Sequence, residues 1–278
     1  MGDTPVAATP DGGTPDAAGG DSGKPAEDAA TGTDAADAQS VPVPATLAGV
    51  VTWLDAQQTS TVTVAGGKVT RWADRTNFQH DAVSDVGYEP TLGTDISKNV
   101  PIVRFSSAQM VLNGAPADAS LQLGATDDFL VEIVMMNTGS GAVLFHNMST
   151  IMPAAGLNIA IISGEPKQAF GLGYNATFLR DPTPSTDGKL RLFGFQRTSS
   201  GTTIAIRNNG AETATTTVTA ADLTTVMPFR LGAFLDTHAS FKGFMTGAIG
   251  ELVLVKGAIS PNDRTALESY LMTKWKLP

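Results

Sequence analysis

The sequence predicts an all-β protein: a two-sheet antiparallel sandwich with a C-terminal α-helix. Many short runs rich in β-branched and aromatic residues follow one another, separated by Gly, Pro, Asn and Asp turns. One run, 249–255, is apolar on both alternating faces except for Glu251, which predicts a strand in the middle of a sheet. A single capped, amphipathic segment follows it at 260–276 and predicts the helix.

Residues 1–44 differ in composition from the rest of the chain. They contain no Leu, Ile or aromatic residue, but seven Asp, one Glu and one Lys among many Gly, Pro and Ala. Such a segment cannot bury enough apolar surface to offset its ordering entropy. We therefore expect a disordered, extended acidic tether over 1–44 and one domain over 45–278. The tether's net charge is −7, which leaves −2 of the total −9 for the domain.

This composition argues against several functional classes. A nearly neutral domain has no overall basic excess for nucleic acid or for an anionic membrane. The chain contains no Cys, so disulfides and thiolate metal sites are excluded. No run reaches the roughly 18 consecutive apolar residues that predict a transmembrane helix.

The strands are predicted by alternation and by the turn residues between them. They are 50–56, 69–73, 101–105, 129–136, 142–145, 157–162, 169–174, 190–197, 202–207, 229–234 and 249–255. Asn209-Gly210 predicts a tight turn, because both residues tolerate a positive φ. Residues 175–188 contain two prolines and are predicted to form an exposed loop, a kind of segment that often carries binding residues.

The helix has recognisable start and stop signals. Ser260 suits the N-cap, Pro261 the first helical position, and Asp263 the positive end of the helix dipole. Leu267 and Leu271 recur at helical spacing. We expect the apolar face of this helix to pack on the sandwich.

Several short motifs occur in an order that resembles a known superfamily. They are Trp-Leu-Asp-Ala at 53–56, Trp-Ala-Asp at 72–74, Val-Arg-Phe at 103–105, Asn-Gly at 209–210, and the last strand with its closing helix. This order resembles concanavalin A-like lectin/glucanase domains, of the laminin-G-like kind found in secreted bacterial proteins, and covers residues 47–276. The resemblance implies the jelly-roll fold, ligand sites at the loop rim or the concave sheet, and calcium binding in some members.

Four residues are predicted to be structural. Trp53 and Trp72 are expected to anchor the core, because Trp contributes a large buried area; sugar stacking is the alternative role. Glu251 lies inside a buried strand and therefore needs a partner. Arg264 on the following helix is the nearest candidate in sequence.

A polar turn follows the second strand. Asp74, Asn77 and Asp81 are candidate metal ligands, since carboxylate and amide oxygens suit calcium. The same residue types also favour simple turns in which their side chains bond nearby backbone groups. The sequence leaves both interpretations open, with calcium the only cofactor it suggests.

Candidate ligand-binding residues lie in the segments expected at the loop rim. They are His80, Asn175, Asp181, Asp236 and His238. The partner predicted for them is a glycan or a surface protein.

Hydrolysis is not predicted. Retaining glycosidases need two carboxylates about 5 Å apart, and glucanases of the resembled superfamily carry them as Glu-x-Asp-x-x-Glu, which this sequence lacks. The closest substitute, Asp128 and Glu132, is spaced differently. The sequence predicts a non-catalytic binding module; the alternatives are a structural or adhesive component that associates with itself or with envelope proteins, and an enzyme with an unrecognised site.

The acidic segment also suggests a location. It resembles the spacer that follows the lipid-bearing cysteine of bacterial surface lipoproteins. We therefore expect an extracellular or cell-surface protein whose leader is absent from this sequence.

Overall fold

The structure is a computed structural model. It describes residues 44–113, 118–139, 141–147, 156–161, 165, 167–172, 178–225, 227–235 and 241–278. These residues form two antiparallel β-sheets and one C-terminal α-helix, so the predicted all-β sandwich is confirmed. The predicted tether lies outside the described residues except for Pro44, and the domain boundary stays a prediction. Among the described residues, no helix has the length and apolar character needed to span a membrane.

The strands of the described chain are numbered in chain order. They are β1 (Val50–Asp55), β2 (Val62–Ala65), β3 (Lys68–Trp72), β4 (Ala82–Ser84), β5 (Thr91–Asp95), β6 (Val100–Ser106), β7 (Met110–Leu112), β8 (Phe129–Asn137), β9 (Ala142–His146), β10 (Leu157–Ile161), β11 (Lys167–Leu172), β12 (Leu179–Pro184), β13 (Arg191–Thr198), β14 (Thr203–Asn208), β15 (Ala211–Thr217), β16 (Arg230–Leu231), β17 (Phe234–Leu235), β18 (Phe241–Lys242) and β19 (Thr246–Lys256). The helix, α1, spans Pro261–Lys274.

The strands form two large sheets. Sheet A has the order β15-β14-β13-β8-β19-β6-β5, with β1 also paired to β19. Sheet B has the order β12-β11-β10-β9-β16-β7-β4-β3-β2, and β17 and β18 pair separately. The core between the sheets contains a group of aromatic side chains, Phe129, Phe170, Phe193 and Phe195.

Strand β19 lies in the middle of sheet A, as its apolar pattern predicts. It pairs with β8 along its length, with β6 over its first half and with β1 over its second half. The change of neighbour coincides with a bulge at Gly250. A Cβ atom on Gly250 would lie 2.6 Å from the Trp275 ring, so glycine lets the end of α1 approach the strand closely.

Helix α1 begins and ends as its sequence signals predict. The Ser260 side chain accepts a hydrogen bond from the Asp263 amide at 3.0 Å, which satisfies one of the unbonded amides at the helix start. Leu267, Leu271 and Trp275 are buried. The helix covers the face of sheet A that points away from the core.

The prediction of an exposed loop over 175–188 is wrong in part. Residues 179–184 form β12, which pairs with β11 at the edge of sheet B, and Asp181 is 0 % exposed. An edge strand accommodates Pro182 and Pro184 because a proline nitrogen can face away from the ladder. The Thr-rich strand β15 and the short strands β2, β4, β5 and β7 were not predicted at all.

Glu251 is the centre of a buried hydrogen-bond network that we call the closure hub. Its side chain is 0 % exposed and accepts hydrogen bonds from Trp53 Nε1 at 2.7 Å, Trp275 Nε1 at 2.5 Å and Lys274 Nζ at 2.6 Å. Lys274 also pairs with Asp55 at 2.8 Å. Burial, then the Asp55 charge, raises the pKa of Glu251, while Lys274 acts in the opposite direction.

The predicted pairing of Glu251 with Arg264 is therefore wrong. Arg264 donates instead to Gln196 Oε1 at 2.9 Å, on β13. The helix is oriented so that its last turn, rather than its first, lies over β19. Of the two predicted core anchors, Trp72 is fully buried and Trp53 lies in the closure hub.

A second buried carboxylate lies under the helix. Glu132 is 1 % exposed, and neither of its oxygens has a hydrogen-bond partner among the described residues. Burial, then the nearby Glu268, raises the pKa of Glu132 well above its usual value, against the opposing charge of Arg207. Its neighbour across the ladder is Gly194, where a Cβ would lie 2.7 Å from the Glu132 Oε1 atom.

Replacing Glu251 by Gln is expected to lower the free energy of unfolding by about 3 kcal/mol, because one buried donor loses its acceptor and Lys274 loses a charge partner. Urea unfolding at neutral pH measures this change. The matched control is Glu212→Gln, which removes an exposed carboxylate and should cost less than about 1 kcal/mol. Equal stability of the two variants would contradict the structural role of Glu251.

Replacing Glu132 by Gln is expected to change how stability depends on pH. Because the folded-state pKa is raised, the native state keeps a proton that the unfolded chain releases above its usual pKa of 4.5. The stability linked to this carboxyl is thus complete below that pH and is lost as pH rises. Wild type should lose free energy of unfolding relative to the variant as pH rises above 4.5. Parallel urea-unfolding profiles above that pH would refute a raised pKa.

Candidate functional site

The predicted metal-binding turn is held together by its own hydrogen bonds. Asp74 accepts from the amides of Trp53, Thr76 and His80 at 2.8, 3.0 and 2.9 Å, and from the Thr76 hydroxyl at 2.6 Å. Asp81 accepts from the Asp74 amide at 2.8 Å and from Arg71 Nε at 2.7 Å. This is the self-bonded turn that the sequence left open as an alternative.

No metal site is evident in the described part of the chain. No group of three or more His, Asp or Glu side chains there could hold a metal ion. Asn77, the third predicted ligand, is exposed. Calcium binding at this turn stays a prediction, and it would compete with hydrogen bonds that already occupy Asp74 and Asp81.

The candidate ligand residues do not share one place. His80 is buried, with Nδ1 2.7 Å from the Val51 carbonyl oxygen and Nε2 3.0 Å from Asp118 Oδ2. Asp181 lies on β12, which is one edge strand of sheet B. His80 follows β3, which lies near the opposite edge. Asn175, Asp236 and His238 lie outside the described residues.

A row of polar side chains crosses the outer face of sheet B instead. His146 is directly opposite Asn158 on one neighbouring strand and Arg230 on the other. Directly paired residues project from the same face of a sheet. The alternate positions, Phe145, Ile159 and Leu231, point into the core, so the three polar residues point outward.

Arg230 belongs to a compact charged cluster. Its Nη1 donates to Gln109 Oε1 at 3.1 Å and lies 3.5 Å from Asp85 Oδ2. Gln109 Nε2 donates to the same Asp85 oxygen at 2.6 Å. Arg230 is only 8 % exposed, and burial lowers its pKa against the opposing effect of Asp85. Asp85 is half exposed and gives this cluster its contact with solvent.

His146 and Asn158 are neutral hydrogen-bonding groups that are buried, at 2 % and 8 % exposed. Burial, then the charge of Arg230, lowers the pKa of His146 to about 3. At neutral pH its ring therefore carries one donor and one acceptor nitrogen. The Oδ1 atom of Asn158 is buried without a hydrogen-bond partner among the described residues.

Partly exposed aromatic rings border these groups. Tyr88 and Phe244 stack with their ring centroids 5.8 Å apart, and Phe234 contacts His146 edge-on at 6.2 Å. The Tyr88 carbonyl accepts a hydrogen bond from the Gln109 amide at 2.8 Å, which fixes the aromatic pair to the cluster. We call the whole assembly the polar face. Its residues are Asp85, Gln109, His146, Asn158 and Arg230, with Tyr88, Phe234 and Phe244 at its border.

The sequence does not predict this surface. Its members come from distant strands, and only the cross-strand register brings them together. One signal was present in Phe229-Arg230-Leu231, where a charged residue interrupts an apolar run just as Glu251 does.

Comparison with known proteins shows the fold. No protein-family model matches the chain, and the comparison with curated proteins finds no match. Among solved structures, the binding domain of Paraclostridial Mosquitocidal Protein 1 is similar with a TM-score of 0.57 and 8 % identity, over 83 % of this chain and 55 % of that one. The binding domain of botulinum neurotoxin DC in complex with SialylT has a TM-score of 0.51 and 12 % identity, over 80 % and 52 %.

A shorter domain matches over nearly its whole length. Domain 4 of AbnA, a GH43 extracellular arabinanase from Geobacillus stearothermophilus, in complex with arabinotriose, is similar with a TM-score of 0.54 and 13 % identity, over 80 % of this chain and 98 % of that one. The present chain spans about half the length of the two toxin binding domains. At these identities the likeness establishes a shared β-sandwich fold, and folds host many functions.

Proposed function

We propose that this protein is a non-catalytic extracellular binding module that recognises a glycan through the polar face. The observation that carries the proposal is the half-exposed Asp85 carboxylate, which Arg230 and Gln109 hold beside the partly exposed Tyr88–Phe244 pair. Asp85 is half exposed and gives a sugar hydroxyl a charged acceptor, whereas Gln109, His146, Asn158 and Arg230 are buried and hold that carboxylate or line the layer beneath it. The Tyr88–Phe244 pair adds an apolar border of the type that small-ligand sites place beside polar groups.

The fold neighbours support the same class of ligand. The arabinanase domain is described with arabinotriose and the neurotoxin domain with SialylT. A neurotoxin domain with rat synaptotagmin II, with a TM-score of 0.50, keeps a surface protein as the alternative partner. More specifically, we propose that the domain is a concanavalin A-like jelly roll and that residues 1–44 tether it to a bacterial envelope.

Buried carboxylates are unsuited to glycoside hydrolysis. Glu132 and Glu251 lie beneath α1 at 1 % and 0 % exposed, where neither can reach a glycosidic oxygen. Asp128, the other member of the Asp128 and Glu132 pair, accepts a hydrogen bond from the Gly201 amide at 3.2 Å. Binding without bond cleavage is the function that these positions favour.

Asp85→Asn should weaken glycan binding at least tenfold, because it replaces a charged acceptor while keeping its shape. A glycan array identifies the ligand, with and without calcium, and calorimetry then measures its affinity for each variant. Tyr88→Ala should weaken binding to a similar degree by removing the aromatic border. Unchanged affinity in both variants would rule out the polar face as the site.

The matched control is Asp222→Asn. Asp222 is exposed and bonds only to Thr224 among the described residues, so this variant should bind normally. If no glycan binds and light scattering rises with protein concentration, the self-associating alternative replaces the proposal.

A further inference from the structure

A groove with an excess of positive charge lies on the sheet A side of the sandwich, next to the end of α1. Its volume is about 680 Å³. Three segments of chain line it, around residues 97–98, 188–191 and 276–278, together with Asn209. We call it the cationic groove after its four positively charged lining residues, Lys98, Lys189, Arg191 and Lys276.

The positive charge of the groove is only partly neutralised. Asp187 pairs with Arg191 through two hydrogen bonds of 2.7 and 2.8 Å and lies 3.8 Å from Lys189. Lys98 and Lys276 have no carboxylate within 4.0 Å in the part of the chain that the structure describes. The groove therefore carries a local positive excess in a domain whose net charge is −2.

Lys98 and Lys276 hold each other in place. Lys98 Nζ donates to the Lys276 carbonyl at 2.6 Å, and Lys276 Nζ donates to the Lys98 carbonyl at 3.3 Å. Two ammonium groups are thus fixed near one junction. An anion bound beside both residues would be attracted by two positive charges.

Lys276 occupies a backbone position that favours glycine. Its φ is +52°, and it follows α1 at the left-handed position of a Schellman turn. The Leu277 amide bonds the Met272 carbonyl at 2.8 Å, and the Lys276 amide bonds the Thr273 carbonyl at 3.2 Å. A lysine in this conformation is strained relative to glycine. The backbone conformation at position 276 therefore gives no reason for a lysine there. Its side chain lines the groove.

We infer that the cationic groove binds the carboxylate or sulfate groups of an acidic polysaccharide. A single small anion would fill only a fraction of 680 Å³, and a groove of this size can hold several sugar units. Asn209 accepts from the Leu192 amide at 3.0 Å through its Oδ1 atom, which leaves its amide nitrogen as a neutral donor for sugar hydroxyls. This site is separate from the polar face and does not depend on the function proposed for it.

The test uses the full chain and calorimetric titration at low salt. Polygalacturonate supplies carboxylates, heparin supplies sulfates, and dextran serves as the neutral comparison. We expect wild type to bind at least one of the two acidic polymers, with an affinity that falls as salt rises, and not to bind dextran. Lys276→Gly should weaken that binding about tenfold, as loss of one charged donor predicts, while its melting temperature stays equal to or above that of wild type.

The melting temperature separates binding from a structural role. If Lys276 only compensated the helix dipole, Lys276→Gly would melt earlier and bind the polymer normally, which would overturn the inference. Lys98→Gln should also weaken binding, whereas Lys242→Gln, the same charge change on β18, should leave binding unchanged. An equal loss in Lys242→Gln would show a net-charge effect instead of a site.

Two further outcomes are decisive. Poly-glutamate that bound as tightly as the polysaccharides would overturn the assignment to a sugar polymer. Asp85→Asn on the polar face should not weaken binding of the acidic polymers, and a loss there would place them outside the cationic groove. Failure of the glycan-array experiment has no bearing on either comparison.

Discussion

The closure hub around Glu251 is the interaction on which the rest of the structure depends. One buried carboxylate accepts hydrogen bonds from the first strand, through Trp53, and from the end of the helix, through Lys274 and Trp275. Trp53 and Glu251 are 198 residues apart in sequence. Burying a carboxylate is costly unless it is paired and fully bonded, so the hub tolerates few other arrangements and thereby fixes where β1 and the end of α1 meet.

Helix α1 covers a face of sheet A that is polar as well as apolar. Arg207 forms an ion pair with Glu268, and Arg264 bonds Gln196, while Glu132 is enclosed between these pairs. This face of sheet A is therefore used for internal contacts. The outer face of sheet B carries the equivalent polar groups with Asp85, Tyr88 and Phe244 partly open to solvent, which is why recognition is assigned to that sheet.

Local patterns predicted much of the fold but little of the site. The apolar run of β19 and the cap and periodicity of α1 are each contained in about 15 consecutive residues, so the sequence shows them directly. The partner of Glu251 was misassigned because adjacency in sequence favoured Arg264, whereas helix orientation selects Lys274 and Trp275. The polar face is set by register between β9, β10 and β16, and no local pattern reports cross-strand register. Asp181 was misplaced for a related reason: its prolines indicate a loop, but an edge strand also accepts them.

The closure hub also determines the geometry of the cationic groove. Lys274 and Trp275 are fixed in the hub, and Trp275 fits against Gly250, where a side chain would collide with its ring. Lys276 follows immediately, so its position is set by the same contacts and by the Schellman turn. Its carbonyl then receives Lys98 from the turn between β5 and β6. Two of the four positive charges of the groove, those of Lys276 and Lys98, are thus carried on backbone that the hub and the Schellman turn fix. A site built on fixed backbone loses little entropy when a ligand binds, and this rigidity favours the groove as a binding surface over a mobile cluster of surface lysines.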